Sequence, residues 1–447
     1  MVRFHHRRPG ASTGLPASLS IRSRLQVPTT GLWGNRDFMN LWGAETIAQI
    51  GAQITPVAIP LLAALTLGAT LFEMGTLTAA SGVPVLLIGL IAEARVDRLR
   101  RKPIMMAMDI GRALVLLAIP IAAWLDVLNI PLLVAVSFLV GAQSVVFNAA
   151  YVSILPSLVQ RSEFSDANGK LYASMSVAQV AGPAAAGSLV ALISAPVVII
   201  FNSITYLGSA WFIRRIQAVE VIAPGTVGRH LTREVREVFT ALFTSPVLRA
   251  ISLSSATINL AGWMFLAVYV LYMADDLGLS ATGVGLVFAS GGVGALIGSA
   301  LAPPVSRRFG VGPTLVWSAV GFGVFGLTVP LAILVPAYAL PLVIFAELMQ
   351  WMTLVVFNVI ALSLRQSLTP NRLLGRVAAS NQVLAQGMMP IGSFLGGVVG
   401  SLVSVQAALL TGVAGMFLAA AWVWFSPVID VHEMPAEPDE TLSAMRA

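Results

Sequence analysis

Val145-Val146-Phe147-Asn148 returns 210 residues later as Val355-Val356-Phe357-Asn358, and Ser157-Leu158 returns as Ser367-Leu368 at the same offset. Around them, Val96-Asp97-Arg98 has a counterpart 209 residues on in Val305-Ser306-Arg307, and Gln179 and Pro183 match Gln386 and Pro390 at an offset of 207. One short match arises by chance; a series in the same order at a nearly constant offset marks a duplicated unit. The two tetrapeptides sit inside long apolar runs, 130–158 and 338–365. Further runs of that kind lie within 38–66, 72–96, 103–125, 165–193, 196–215, 247–273, 281–303, 312–334, 374–401 and 404–426. Each reaches the roughly 20 residues that cross a bilayer as a helix. They show no sustained two-residue alternation and are about twice the length of a barrel strand, which argues against a β-barrel. The expected fold is an all-α membrane protein, with twelve transmembrane helices in two pseudo-symmetric six-helix bundles.

Composition points the same way. Of 447 residues, 57% are hydrophobic and 10% charged, and the mean hydropathy is +0.86. Soluble domains carry roughly 25% charged residues, so 26 Lys and Arg with 20 Asp and Glu leave too little polar surface to cover such a core in water. Cysteine is absent, which excludes a disulfide framework and a thiolate metal site. His5, His6, His230 and His432 all fall outside the apolar runs, so no histidine metal centre and no cofactor is expected. Residues 1–35 are basic and rich in Pro, Ser and Gly, with no signal-like apolar core, and read as a disordered tail. The longest polar connection, 216–246, separates a bundle at 36–215 from one at 247–426. Within it Arg229, Arg233, Glu234, Arg236 and Glu237 with Val235, Val238 and Phe239 predict a short amphipathic surface helix. Residues 427–447 read as an acidic solvated tail.

A pI of about 10.1 would suggest nucleic acid for a soluble chain. Here the basic residues belong to one side of a membrane instead. Arg3, Arg7, Arg8, Arg22, Arg24 and Arg36, the turn Arg98 to Lys102, Arg161 and Lys170, the middle connection, Arg307 and Arg308, and Arg365, Arg372 and Arg376 alternate with loops that hold Asp126, Asp275 and Asp276 and no Lys or Arg. The positive-inside rule then places both termini in the cytoplasm, in an inner (cytoplasmic) membrane protein.

Between helices 2 and 3 the chain reads Glu93-Ala94-Arg95-Val96-Asp97-Arg98-Leu99-Arg100-Arg101-Lys102. This resembles the Gly-x-x-x-Asp-Arg-x-x-Arg-Lys turn of the major facilitator superfamily of secondary transporters, with Glu93 in place of the leading Gly. Helix 5 carries Ala178, Gly182, Pro183, Ala186 and Gly187, similar to the superfamily's exporter signature with Ala at two of its small positions. Asn35-Arg36-Asp37-Phe38, Ala58-Ile59-Pro60-Leu61, and Asp109 with Arg112 are similar to the bacterial branch that contains enterobactin exporters and macrolide efflux pumps. The resemblance spans residues 36–426. It implies a monomeric transporter, not an enzyme, that exports drugs or siderophores, driven by the proton gradient. It also implies a gate built from Asp97, Arg98, Arg101, Arg112, Gly182, Pro183 and Gly187. An importer of a small metabolite on the same fold is the alternative, and a membrane sensor or enzyme a remote one.

Polar groups inside a membrane are costly and usually face a partner or a wet cavity. Glu45, Gln49 and Gln53 follow one another at four-residue steps on helix 1; helix 4 has Gln143, Asn148 and Tyr151; helix 7 has Asn259 and Trp263; helix 10 has Glu347, Gln350, Trp351 and Asn358. In the resembled family these four helices line a central cavity, so these residues are candidates for substrate binding, with packing between helices as the alternative for each. Glu347, the one acidic residue in its apolar run, is the sharpest candidate for carrying a proton. Glu45, expected nearer the cytoplasmic end and solvated, is the second. Asp109 and Arg112, three residues apart, predict a structural ion pair near the turn between helices 2 and 3. The partners implied are therefore the lipid bilayer, a small amphipathic molecule and protons.

Overall fold

A computed structural model of the chain describes residues 31–96, 99–160, 163–218, 245–369 and 374–434. Among these the chain forms helices and no strand. The long ones are α1 (Arg36–Leu65), α2 (Leu71–Val96), α3 (Arg101–Trp124), α4 (Ile130–Leu158), α5 (Phe164–Ile193), α6 (Ala195–Arg214), α7 (Pro246–Leu271), α8 (Ala281–Phe309), α9 (Val311–Leu331), α10 (Ala339–Leu368), α11 (Leu374–Leu402) and α12 (Val405–Trp424). In lipid every backbone N–H and C=O must be bonded within the chain, and a helix does this locally. Eleven of them are long and apolar enough to cross a membrane among the described residues; α11 is as long but diluted by Gly, Ser and Gln.

Several boundaries follow from capping. The side-chain oxygens of Asn35, Asn129, Ser280 and Ser404 accept the backbone N–H of Phe38, Leu132, Gly283 and Ala407, at 2.9 to 3.2 Å, at the starts of α1, α4, α8 and α12. Between α8 and α9 the chain turns on the single residue Gly310, whose φ of +90° disfavours a side chain.

Packing follows one rule twice. α1 packs on α5 and α6, α2 on α4, and α3 on α4 and α6; adding six to each number gives the contacts of α7 to α12. The repeated tetrapeptides lie in equivalent places on α4 and α10, where Phe147 and Phe357 are buried while Asn148 and Asn358 are exposed. The two sets of helices meet chiefly along α5–α8 and α2–α11. Lipid supplies no hydrophobic drive between helices, so close approach of small residues does the work. A Cβ on Gly75 would lie 2.5 Å from Gly397 Cα, and one on Gly187 would lie 2.5 Å from the Ala281 carbonyl oxygen. These approaches fall toward the end whose loops contain no Lys or Arg. At the opposite, basic end stand Arg36, Arg100, Lys102, Arg214, Arg307 and Arg308.

Four expectations change. α1 is interrupted at Gln53–Ile54, where Arg36–Ala52 ends before Thr55–Leu65 begins. The residues just before α1 are ordered: Gly31–Gly34 forms a 3-10 turn with Leu32 buried. The described start of the acidic tail is also docked rather than solvated. Its Pro427–Asp430 turn buries Val428 completely, and the His432 and Val431 carbonyls accept the N–H groups of Val311 and Gly312, at 3.2 and 2.7 Å, in the first turn of α9. Finally, α7 runs beyond its expected end through a π turn, Tyr272–Asp276. The amphipathic segment expected around Arg229–Phe239 lies outside the described residues.

Candidate functional site

A cavity of about 400 Å³ opens where the two helix sets face each other. Its wall takes Gln53, Thr55 and Pro60 from α1, Thr78 and Ser81 from α2, Ser137 from α4, Gln179 and Pro183 from α5, Trp263 and Leu266 from α7, Phe288 from α8, Trp351 from α10 and Met389 from α11. Among the described residues no charged side chain is part of this wall. Three of the residues expected to bind substrate are present, Gln53, Trp263 and Trp351, together with Pro183 of the expected gate.

The break in α1 puts Gln53 and Thr55 there. Pro56 has no N–H to bond the carbonyl four residues back, and Ile54 bonds instead to the Gly51 carbonyl at 2.9 Å. From α6, Asn202 donates to the Thr55 hydroxyl, while a Cβ on Gly51 would lie 1.8 Å from the Thr205 hydroxyl oxygen. Gln53 in turn packs on Gly182 of α5, where an added Cβ would run into the Cβ and Cγ of Gln53.

Glu347 is 3% exposed and sits behind the cavity wall rather than in it. The Trp351 indole N–H donates to its Oε1 at 2.8 Å while the same ring lines the cavity. Gly291 of α8 makes room for this pair: a Cβ there would lie 2.6 Å from the indole and 3.2 Å from the carboxylate oxygen. The buried Tyr269 of α7, packed on Phe265 and Phe288, stands against the same carboxyl group. Thus Glu347 touches the cavity through Trp351.

A second polar cluster is sealed inside α1, α3, α4 and α6. Arg112 pairs with Asp109, donates to the Ser144 hydroxyl at 3.4 Å, and lies 4.3 Å from the ring centroids of both Phe147 and Tyr206. Glu45 faces these charges and accepts from Gln49 at 2.6 Å. The ion pair is as expected, but its place is not. Arg112 lies eleven residues inside α3, roughly 16 Å from the start of the helix, so it is no part of a surface gate. Glu45 is buried, not solvated.

The remaining candidates point elsewhere. Gln350 faces α9 and α12, donating to the Phe322 carbonyl at 3.4 Å, because Gly326 leaves space for its amide. Gln143 packs on Gly111 of α3, Tyr151 stacks on Phe147, and Asn259 bonds back to the Ser255 carbonyl at 2.8 Å. Asn148 and Asn358 are exposed, on the helix faces that carry Ser137 and Trp351, eleven and seven residues nearer the basic end. Of the expected gate, Gly187 packs on Gly285 and Ala281 of α8, Arg101 is buried at the basic end, and Asp97 and Arg98 lie outside the described residues. Sequence reasoning passed over Ser137, Gln179, Phe288 and Tyr269. The repeat held a signal for one of them, since its offset of 210 carries Ser137 onto Glu347.

Residues 32–445 match the family described as transmembrane secretion effector. A relative from Sinorhizobium fredii (strain NBRC 101917 / NGR234), named as an uncharacterized MFS-type transporter, y4rN, is 25% identical over 422 residues, which is 92% of this chain and 98% of the relative. Among solved structures, a bacterial homologue of the iron transporter ferroportin is similar in its inward-facing state at a TM-score of 0.72, and in its outward-facing state at 0.57. Identity is 16% in both, over 87% of this chain and 98% of that one. The nucleoside transporter NupG is similar at a TM-score of 0.67 and 11% identity, again over 87% of this chain and 98% of that one.

Proposed function

Because the chain belongs to the transmembrane secretion effector family of MFS-type membrane transporters, we propose that it is a proton-coupled exporter of amphipathic small molecules, working by alternating access. It is a transporter and not an enzyme. The observation that carries the finer reading is the pairing of an uncharged, aromatic and amide-lined cavity with a single carboxyl group one indole behind it. Such a wall suits a bulky molecule with both apolar and polar parts, since a multiply charged one would lose its hydration without an opposing charge.

The two helix sets, 36–215 and 247–426, are the bodies that rock, with α5–α8 and α2–α11 as the seams between them. Positive-inside asymmetry puts the basic end, and both termini, in the cytoplasm. The seams then close the external side, and the structure is inward-facing; the higher TM-score to the inward-facing ferroportin homologue supports this. Glu347 would exchange its proton as access alternates, with Glu45 as a second carrier inside the first helix set. Efflux of drugs or siderophores by a monomer in the inner membrane is the specific form of this proposal.

Inverted and right-side-out membrane vesicles loaded with a panel of fluorescent dyes test it. Accumulation confined to inverted vesicles and collapsed by a protonophore supports export. Accumulation in right-side-out vesicles makes the chain an importer, and transport indifferent to the proton gradient removes the coupling.

A further inference from the structure

The outer surface carries two grooves related by the same repeat as the helices. One, of about 510 Å³, lies between α2, α3 and α4 and includes Arg95, Val96, Pro103 and Val146. The other, of about 470 Å³, lies between α8, α9 and α10 and includes Val305, Pro313 and Val356. Val96 corresponds to Val305, Pro103 to Pro313 and Val146 to Val356, so these are two copies of one feature. Neither belongs to the cavity between the helix sets.

Both grooves are apolar along most of their length and reach the basic end. On α2 the first runs from Ile88 to Arg95, and on α8 the second runs from Leu301 to Phe309, about 10 and 12 Å of helix axis. That is most of the depth of one leaflet's hydrocarbon, which is roughly half of 30 Å. An exposed arginine stands at the basic end of each: Arg95 lines the first, and beside the second the Arg308 guanidinium lies 5.6 Å from the ring centroid of the lining residue Phe309. An apolar groove with an arginine in its wall or beside it at the basic end suits one ligand chemistry, an acyl chain joined to an anionic phosphate headgroup.

We propose that these grooves are a symmetry-related pair of anionic phospholipid sites, one on each helix set. A lipid held there bridges three helices of one set and moves with it. This rests on the fold and not on the export reading, so it stands or fails independently of the direction of transport.

Native mass spectrometry of the full chain, purified in detergent and offered phosphatidylglycerol or phosphatidylcholine, tests the pair. The wild type is expected to retain two phosphatidylglycerol molecules in preference to phosphatidylcholine. An arginine near an anionic headgroup contributes about 1 kcal/mol, so Arg95→Gln and Arg308→Gln should each weaken one site about fivefold, and the double variant both. Arg214→Gln, which removes an exposed arginine of the same end outside the grooves, should leave retention unchanged. Equal retention of the two lipids overturns the proposal. So does equal loss in Arg214→Gln, or occupation of these faces by a second copy of the chain, seen as a dimer that excludes the lipid.

Discussion

At residue 112 a guanidinium is held by a carboxylate, a hydroxyl and two aromatic faces at once. Removing one partner of such a buried set strands the others, which costs about 3–5 kcal/mol. Arg112→Gln should therefore lower the thermal midpoint in detergent sharply and reduce yield. Arg112→Gln with Asp109→Asn should regain much of the loss, because the stranded charge goes with its partner. Residue 347 poses the opposite case. Glu347→Gln keeps the shape and still offers the Trp351 indole an acceptor, so the protein should fold normally, while dye accumulation driven by a proton gradient falls to downhill equilibration. Unchanged accumulation in that variant would end the role given to Glu347. The difference between these sites could not be read from types and spacing, since Glu45 and Glu347 are both carboxyl groups set among apolar residues of long helices. What separates them is the neighbouring helix: Arg112 beside one, Tyr269 and Gly291 beside the other.

Helices contribute through their smooth sides. Gly187 and Gly285 bring α5 and α8 to backbone contact near the charge-poor end, and a leucine at 187 would have to push Ala281 and Gly285 away. Overpacking of this kind costs about 1–3 kcal/mol. Because the opposed conformation separates that seam, Gly187→Leu should shift the population toward it. A single cysteine placed at Ser137, in a chain that has none of its own, should then react faster with an external maleimide in Gly187→Leu than in the parent. No change in rate would show that the seam does not set access. The extent of the helices, their order and their duplication were legible in the sequence, because a bilayer imposes length and apolarity on each span separately. The interruption of α1 was harder to see. Pro56 and Pro60 were visible, but the break is stabilised by Asn202 and Thr205, some 150 residues away. For the same reason Gln350 and Gln143 were expected in the cavity: an amide on a helix has no intrinsic direction until the glycine that accommodates it is known.

For the molecule as a whole, charge decides which way up it stands. Cysteines substituted at Asp126 and Arg214, at opposite ends of the helices, give the check. The first should be labelled by an impermeant maleimide on intact cells and the second only after permeabilisation. The reverse pattern would invert the assignment of inside and outside, and with it the inward-facing description.

Val431 and His432 offer their carbonyls to a helix that begins some 120 residues earlier in the chain. During synthesis those acceptors emerge some 120 residues after α9 begins, so the first two N–H groups of α9 lack these partners until then. A stop codon at Pro427 should therefore yield a protein with every span inserted and yet poorly resistant to proteases, while a fluorescent fusion appended after Ala447 leaves the clasp intact.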